Sequence, residues 1–214
     1  GHILLESVPG LAKTTGAKVL TEAVNAKFSR IQCTPDLLPS DIVGTQIFNY
    51  NTNKFDTIIG PVNANFVLLD EINRSSAKTQ SAMLEVMQEK KVTIAGETYK
   101  MPNPFVVIAT QNPIEQEGTY LLSEAQTDRF MIKEVIDYPS ADEEVLILNR
   151  IESGIIDNVE PIADVNAILY LQEMVNKVYV DEEIKKYISK IIDATRYPDK
   201  YISKEIAEYI EIDL

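Results

Sequence analysis

A phosphate-binding loop is indicated by eight consecutive residues near the start of the chain, Ser7-Val8-Pro9-Gly10-Leu11-Ala12-Lys13-Thr14. They follow an apolar, strand-like run at Ile3–Glu6 and open an amphipathic stretch, which is the context that such a loop requires. Backbone N–H groups at a helix N-terminus bind anions, Lys13 would reach the β- and γ-phosphates of a nucleotide, and the Thr14 hydroxyl would ligate Mg²⁺. The residues predicted to bind the nucleotide are Val8, Pro9, Gly10, Leu11, Ala12, Lys13, Thr14 and Thr15.

Two positions of this loop depart from the usual pattern. Ser7 stands where the motif has glycine, and Ala12 stands where glycine is more usual. If position 7 needs a positive φ, a serine would strain the turn, because only glycine adopts such angles freely. The alternative interpretation is a Pro-Gly turn before an ordinary helix, with Lys13 in solvent.

A pair of carboxylates ends an apolar run further along the chain. Asp70 and Glu71 directly follow Phe66–Leu69, which has the character of a buried strand. Burying two carboxylates is costly unless they face a metal ion or solvent at the end of a sheet. We expect Asp70 to hold Mg²⁺, directly or through water, and Glu71 to take the proton of an attacking water. The alternative is that the pair caps the helix that follows.

Polar residues also end the apolar run Phe105–Ala109, which continues into Thr110-Gln111-Asn112-Pro113. In a parallel sheet these side chains fall at the same edge as the loop and the carboxylates. Asn112 would then orient the attacking water or contact the γ-phosphate. A turn formed by Asn112-Pro113 is the alternative.

The elements that must position these residues alternate along the first part of the chain. Apolar runs of strand length alternate with amphipathic stretches, which predicts an α/β fold with a mainly parallel sheet. We expect the strand before the loop and the strand before the acidic pair to be neighbours, with Thr14 and Asp70 on the same face. The predicted strands are Ile3–Glu6, Phe28–Gln32, Phe66–Leu69, Phe105–Thr110 and Met131–Ile136.

Two hairpins and a helical segment complete the predicted organisation. Turn residues between short β-prone runs indicate hairpins at about 44–60 and 91–102. After Pro139 the apolar residues recur at helical spacing only. We therefore predict an α/β core over residues 1–138 and a small all-α domain over residues 139–214.

The composition excludes several classes of protein. With 214 residues, 45% of them hydrophobic and 25% charged, the chain is neither disordered nor collagen-like. Its single cysteine, Cys33, cannot form an intrachain disulfide, which favours the cytoplasm and a role as a small buried residue. No apolar run approaches the roughly 18 residues that a membrane span requires.

The net charge of −13 is unevenly distributed, since residues 1–133 carry −2 and residues 134–214 carry −11. An acidic second half argues against nonspecific binding of nucleic acid. The one histidine, His2, has no metal-ligating neighbours and is interpreted as incidental. Because the chain begins directly in an apolar run, we expect sequence upstream of Gly1 to be missing.

Several strings of the sequence together resemble MoxR-type AAA+ ATPases of the helix-2-insert clade, over nearly the whole chain. The resemblance implies a P-loop NTPase core, a helical lid, a hairpin inserted within the second helix and another before the sensor strand. It also implies ATP and Mg²⁺ as cofactors and a homo-oligomeric ring, usually a hexamer. The strings are Ser7–Thr14, Thr34–Ile42, Asp70–Arg74, Ala109–Glu117 and Glu124–Phe130.

The same resemblance implies roles for two further residues. Asn112 resembles the sensor-1 residue, and Arg129 resembles the arginine finger that reaches the ATP of the neighbouring subunit. Such a finger is worth about 10³–10⁵ in rate. The alternative is that Arg129 pairs with Asp128 or Glu124 at a surface, and Arg74 is a second candidate cation. No sensor-2 arginine can be assigned, because the chain ends where the family continues into that motif.

Two functions follow as hypotheses. The first is Mg²⁺-dependent ATP hydrolysis by a cytoplasmic, ring-forming MoxR-like protein that remodels or matures a client protein, with a von Willebrand factor A-domain protein as a further partner. The second is an ATP-binding scaffold that hydrolyses ATP weakly, which Ser7 and the unassigned sensor 2 favour. Glu71 and Arg129 favour turnover. A DNA motor or a GTPase is disfavoured, because the second half is acidic and no basic stripe is present.

Overall fold

The structure is a computed structural model that describes residues 1–113, 118–154 and 159–203. The strands are β1 (Ile3–Glu6), β2 (Phe28–Gln32), β3 (Gly44–Asn49), β4 (Lys54–Ile59), β5 (Phe66–Asp70), β6 (Lys91–Ile94), β7 (Glu97–Lys100), β8 (Val106–Gln111) and β9 (Ile132–Val135). The α-helices are α1 (Lys13–Ala23), α2 (Pro39–Val43), α3 (Ala77–Glu89), α4 (Glu124–Thr127), α5 (Ala141–Ser153), α6 (Val165–Val175) and α7 (Glu182–Arg196).

Five strands form a parallel sheet in the order β2-β5-β8-β1-β9, which confirms the predicted α/β class. The prediction that β1 and β5 are neighbours is wrong, because β8 lies between them and pairs with both. Strand β8 carries apolar residues on both faces, with Val107, Ile108 and Ala109 all buried. A strand that is apolar on both faces belongs in the middle of a parallel sheet. The carboxyl ends of β1, β8 and β5 therefore still meet at one edge.

Helices cover both faces of the sheet, because successive side chains of a strand point to opposite sides. On one face Leu68 of β5 and Ile108 of β8 pack with Ala17 of α1. On the other, the larger part of the core includes Leu69 of β5 and Met83 of α3. Fully burying one such side chain stabilises the fold by about 1.5–3 kcal/mol.

Cys33 follows β2 and is buried in this core, as predicted. Its backbone N–H donates to the carbonyl oxygen of Asp70, which extends the β2–β5 pairing. Burial raises the pKa of the thiol to about 12. The thiol is therefore protonated and unreactive near neutral pH.

Both predicted hairpins are confirmed, as β3–β4 and as β6–β7. In the second hairpin, Ala95 and Gly96 form the two-residue turn with φ angles of 48° and 89°. Two-residue turns of this kind require positive φ angles at both positions, because their twist then matches that of the strands.

The described residues after 138 contain helices and no strand. Helix α5 begins after a capping box, in which the Ser140 hydroxyl accepts from the Glu143 N–H and the Glu143 carboxylate accepts from the Ser140 N–H. By its contacts the chain divides into two compact units, Gly1–Tyr170 and Leu171–Leu214. The predicted boundary between residues 138 and 139 stays a prediction, and Tyr209-Ile210-Glu211, where the family sequence continues to sensor 2, lies outside the described residues.

Candidate functional site

A strained loop leads from β1 to the first residue of α1. Gly10 has a φ of 88° and Ala12 has a φ of 53°. The positive φ angles that glycine adopts freely are therefore found at these two positions of the loop. A left-handed alanine costs roughly 1–2 kcal/mol. Ser7 is not among the residues with positive φ, and the strain expected there is absent. Its buried N–H instead donates to the carbonyl oxygen of Gln111, which continues the β1–β8 ladder into the loop.

The side chain of Lys13 folds back over this loop. Its ammonium donates to the carbonyl oxygens of Ser7 and Val8, at 3.2 Å each. The ammonium is thus held beside the loop backbone and is not extended into solvent. The positive charge of Lys13 therefore lies next to the position that an anion bound by the loop would occupy.

Asp70, at the end of β5, has both carboxylate oxygens in hydrogen bonds. Oδ1 accepts from the Thr110 hydroxyl at 2.8 Å, and Oδ2 accepts from Arg30 Nη2 at 2.6 Å and Nε at 3.1 Å. The Thr110 oxygen also accepts from the Glu71 N–H at 2.8 Å. Thr110 is fully buried, and one hydroxyl therefore fixes both members of the acidic pair from the neighbouring strand.

Glu71 turns out of the strand with a left-handed backbone, at a φ of 59°. Its Oε2 accepts from Gln32 Nε2 at 3.0 Å and from Arg74 Nη1 at 3.1 Å. Strained residues of this kind cluster at functional sites. The two carboxylates thus have different surroundings, since Asp70 contacts Arg30 and Glu71 contacts Arg74.

The loop and the acidic pair line one cleft at the carboxyl edge of the sheet, with a volume of about 360 Å³. This brings together most of the residues predicted to bind phosphates, the predicted metal ligands Thr14 and Asp70, and the predicted base Glu71. The lining residues are Pro9, Gly10, Leu11, Ala12, Lys13, Thr14, Arg30, Asp70 and Glu71.

The chemistry of the cleft fits a phosphate chain with Mg²⁺. The Thr14 hydroxyl and the Asp70 carboxylate are hard oxygen donors, which Mg²⁺ prefers. In the described part of the chain, no three His, Cys, Asp or Glu side chains converge to hold a metal ion by themselves. A cation here would therefore also depend on phosphate oxygens and water, as Mg²⁺ does in many nucleotide sites.

Asn112 lies beyond the carboxyl end of β8 and is buried. Its backbone carbonyl oxygen accepts a hydrogen bond from the side-chain amide of Asn73 at 3.3 Å. This bond links the segment after β8 to the segment after the acidic pair. Asn112 is placed at the predicted edge of the sheet, although it is not among the residues that line the cleft.

Arg129 lies in a different cleft, of about 220 Å³, between α3 and α4. Its Nη1 donates to the carbonyl oxygen of Ala125 at 2.6 Å. Among the described residues, the guanidinium forms no ion pair with Asp128 or Glu124, the alternative considered for it. Arg129 is therefore separate from the phosphate loop of its own chain.

Three functional neighbours of the acidic pair received no role from the sequence, namely Arg30, Gln32 and Thr110. Arg30 and Gln32 alternate along β2 with the buried Ile31, a polar face on a strand that pairs with β5. Strand β2 is an edge strand whose neighbour in the sheet is β5, so this alternation indicates polar side chains that can contact the end of β5.

Together, the fold and the cleft define a parallel-sheet protein with a phosphate loop and an acidic strand end. A sequence model of the family described as "ATPase family associated with various cellular activities (AAA)" matches residues 2–132. The chain belongs to this family of AAA ATPases, and the resemblance to its MoxR-type members is confirmed.

Among relatives, the chain is 47% identical over 211 residues to Chaperone MoxR1 of Mycobacterium tuberculosis, which covers 98% of the chain and 55% of that protein. It is 49% identical over 197 residues to the uncharacterized protein YeaC of Bacillus subtilis, covering 92% of the chain and 62% of YeaC. A crystal structure from Cytophaga hutchinsonii, provisionally described as an ATPase, superposes with a TM-score of 0.86 at 50% identity, over 94% of the chain and 61% of that protein. The chain thus spans little more than half the length of these proteins.

Within the described residues, no helix combines the length and the apolar character that crossing a membrane demands.

Proposed function

We propose that the chain binds ATP with Mg²⁺ in the cleft at the carboxyl edge of the sheet and hydrolyses it. One observation carries this proposal: the phosphate loop, Asp70 and Glu71 line the same cleft although Thr14 and Asp70 are 56 positions apart in the sequence. Membership of an ATPase family supports it.

The loop supplies the phosphate contacts in this proposal. Residues Val8 to Thr15 would hold the phosphates, chiefly through the backbone N–H groups of Gly10 to Thr15, because the dipole at the start of α1 favours anions. The Lys13 ammonium, which now contacts two loop carbonyls, exchanges these contacts for the β- and γ-phosphates. Such charge-assisted hydrogen bonds are roughly twice as strong as neutral ones.

Thr14 and Asp70 would hold Mg²⁺, which when bound withdraws charge from the phosphates. Glu71 takes the proton of the attacking water, and Asn112 positions that water or the γ-phosphate. Glu71 is suited to its role because its carboxylate lies at the cleft and, in the part of the chain that the structure describes, is held by two side chains that can rearrange, Gln32 and the half-exposed Arg74.

Arg129 acts in a neighbouring subunit of a homo-oligomeric ring, which we propose to be a hexamer. Its place outside the loop cleft of its own chain supports action in trans. The chaperone name of the Mycobacterium tuberculosis relative supports an output in which ATP turnover remodels a client protein. The cytoplasm as its location and a von Willebrand factor A-domain protein as a partner are parts of the proposal that come from the resemblance of the sequence to MoxR-type proteins.

An ATP-binding scaffold with weak hydrolysis is the second candidate. It is favoured by the contacts of the acidic pair, because both carboxylates are bound by side chains of the same protein. In a scaffold these contacts would persist after ATP binds.

Phosphate release separates the two candidates. We expect the protein to release phosphate from ATP with Mg²⁺ and not with EDTA. Glu71→Gln should keep ATP binding and lower turnover by about 10²-fold or more, because an amide has the same shape but cannot take a proton. Glu22→Gln, at the far end of α1, is the matched control and should turn over ATP at the parent rate. Parent-rate hydrolysis by Glu71→Gln would show that another group is the base, and tight binding without turnover by the unmodified protein would favour the scaffold.

A further inference from the structure

Arg30 is a cation inside the proposed ATP site that the mechanism above does not use. It lies on β2, two residues before Gln32, whose backbone is in register with Asp70 on β5. Its side chain is 48% exposed and lines the same cleft as the phosphate loop. Arg30 can therefore contact Asp70 and also reach the space where the phosphates would lie.

The contact between Arg30 and Asp70 is a two-point ion pair. Nε and Nη2 both donate to Asp70 Oδ2, at 3.1 Å and 2.6 Å, and Nη2 also donates to Gln32 Oε1 at 2.7 Å. Within the described residues, the two N–H groups of Nη1 have no hydrogen-bond partner. The guanidinium thus has donors left for a further acceptor in the cleft.

Asp70 needs a positive neighbour, because its side chain is only 13% exposed. A carboxylate that is largely removed from water is costly unless a cation compensates it. In a site with Mg²⁺ the metal supplies that charge. In this structure Arg30 supplies it, at one of the two carboxylate oxygens that a metal would use.

We propose that Arg30 takes the place of the divalent cation at Asp70 when no metal is bound, and so lets the triphosphate bind in the absence of Mg²⁺. The inference rests on the proposed function, since it concerns the same cleft. Without Mg²⁺ the triphosphate carries more negative charge, and a cation beside Asp70 offsets the repulsion between that carboxylate and the phosphates. With Mg²⁺ present, guanidinium and metal compete for Asp70, so Arg30 adds little to the affinity.

Nucleotide affinity measured with and without metal tests this inference. A fluorescent ATP analogue is titrated with the unmodified protein and with Arg30→Met, in Mg²⁺ and in EDTA. We expect Arg30→Met to raise the Kd in EDTA at least about fivefold and to change the Kd in Mg²⁺ by less than about twofold. The ratio of the Kd in EDTA to the Kd in Mg²⁺ should therefore be higher for Arg30→Met than for the unmodified protein.

Three further variants make the result specific. Arg30→Lys keeps the charge, so its Kd ratio should stay within about twofold of the parent ratio. Arg30→Gln is a second neutral variant and should behave as Arg30→Met does. Lys27→Met removes a charge just before the start of β2, at the opposite edge of the sheet, and should leave the ratio unchanged. Circular dichroism checks that each variant is folded.

Equal weakening of binding by Arg30→Met in both conditions, or an unchanged Kd in EDTA, would overturn this inference while the proposed function stands. If the unmodified protein bound no ATP even with Mg²⁺, the proposed function would fail and the inference with it.

Discussion

At the scale of single residues, two of the strained backbone positions lie at the cleft. Ala12 and Glu71 both have left-handed backbone angles, and each directly precedes a helical turn, α1 in one case and the short 3₁₀ turn Ile72–Arg74 in the other. Each such residue costs of order 1–3 kcal/mol. The rest of the fold offsets this cost. The left-handed backbone at Ala12 and Glu71 is part of the geometry that places the loop and the Glu71 carboxylate at one edge of the sheet.

His2 has a structural role that the sequence did not indicate. Its Nδ1 accepts from the Val107 N–H at 2.9 Å, so Nε2 carries the proton and donates to the carbonyl oxygen of Met87 at 3.1 Å. The neutral ring thereby joins the start of β1 to β8 and to α3. Protonation of Nδ1 would break the contact with Val107.

The pH dependence of stability tests this role. Burial lowers the pKa of His2 below its ordinary value of 6.5, so the unfolded chain binds the proton more readily than the folded one. The contribution of His2 is therefore present above pH 6.5 and is lost as the pH falls below it. We expect the free energy of unfolding in urea to drop less between pH 7.5 and 5.5 in His2→Gln than in the parent. The same drop in both would contradict the assignment.

The carboxylates could be predicted from sequence, and their partners could not. Asp70 and Glu71 were recognisable because two acidic residues directly follow an apolar run. Arg30 and Thr110 lie 40 residues to either side of Asp70, on strands whose positions beside β5 depend on the whole fold. A contact distant in sequence also explains why the expectation of strain at Ser7 was wrong, because the Ser7 backbone is held by its hydrogen bond to Gln111.

At the scale of elements, β5 carries both the core and the site. Every residue of this strand is buried, and its last residue is Asp70. Packing on both faces thus fixes the position of the carboxylate.

Truncating Leu68 tests the packing on the α1 face. Leu68 is fully buried against Ala17 and Ile108, so Leu68→Ala should lower the free energy of unfolding by about 2–5 kcal/mol. Leu121→Ala, at a side chain that is 80% exposed, is the control and should change it by no more than about 0.5 kcal/mol. Equal effects in urea unfolding would mean that β5 is not central to the core.

The bounds of the strands and hairpins were predictable to within about two residues, whereas the order of the strands in the sheet was not. Local patterns such as the Ala95-Gly96 turn determine a hairpin directly. The neighbours of β1 depend on which later strand inserts beside it, and β8 occupies the place that the sequence analysis gave to β5. The edge of the sheet was still predicted correctly, because parallel strands share it in any order.

At the scale of the whole molecule, the proposed action of Arg129 in a neighbouring subunit predicts that hydrolysis needs an assembly. A subunit with Arg129→Ala keeps its phosphate loop, and one with Lys13→Ala keeps its finger. If Arg129 acts in trans, mixing the two inactive variants should restore part of the activity, at interfaces that combine an intact loop with an intact finger. Phosphate release and native mass spectrometry of the mixture measure this. No recovery despite mixed rings would direct attention to Arg74.

Binding of ATP at the loop is the central claim, and its most direct measurement is a titration of a fluorescent ATP analogue with Mg²⁺. The unmodified protein should bind saturably. Lys13→Ala should weaken binding at least about tenfold, since it removes the charge-assisted contacts to the phosphates. Lys18→Ala, whose side chain on α1 is 62% exposed and pairs with Glu22, should bind as the parent does. Equal affinities of Lys13→Ala and the parent, or no binding by the parent, would contradict the account.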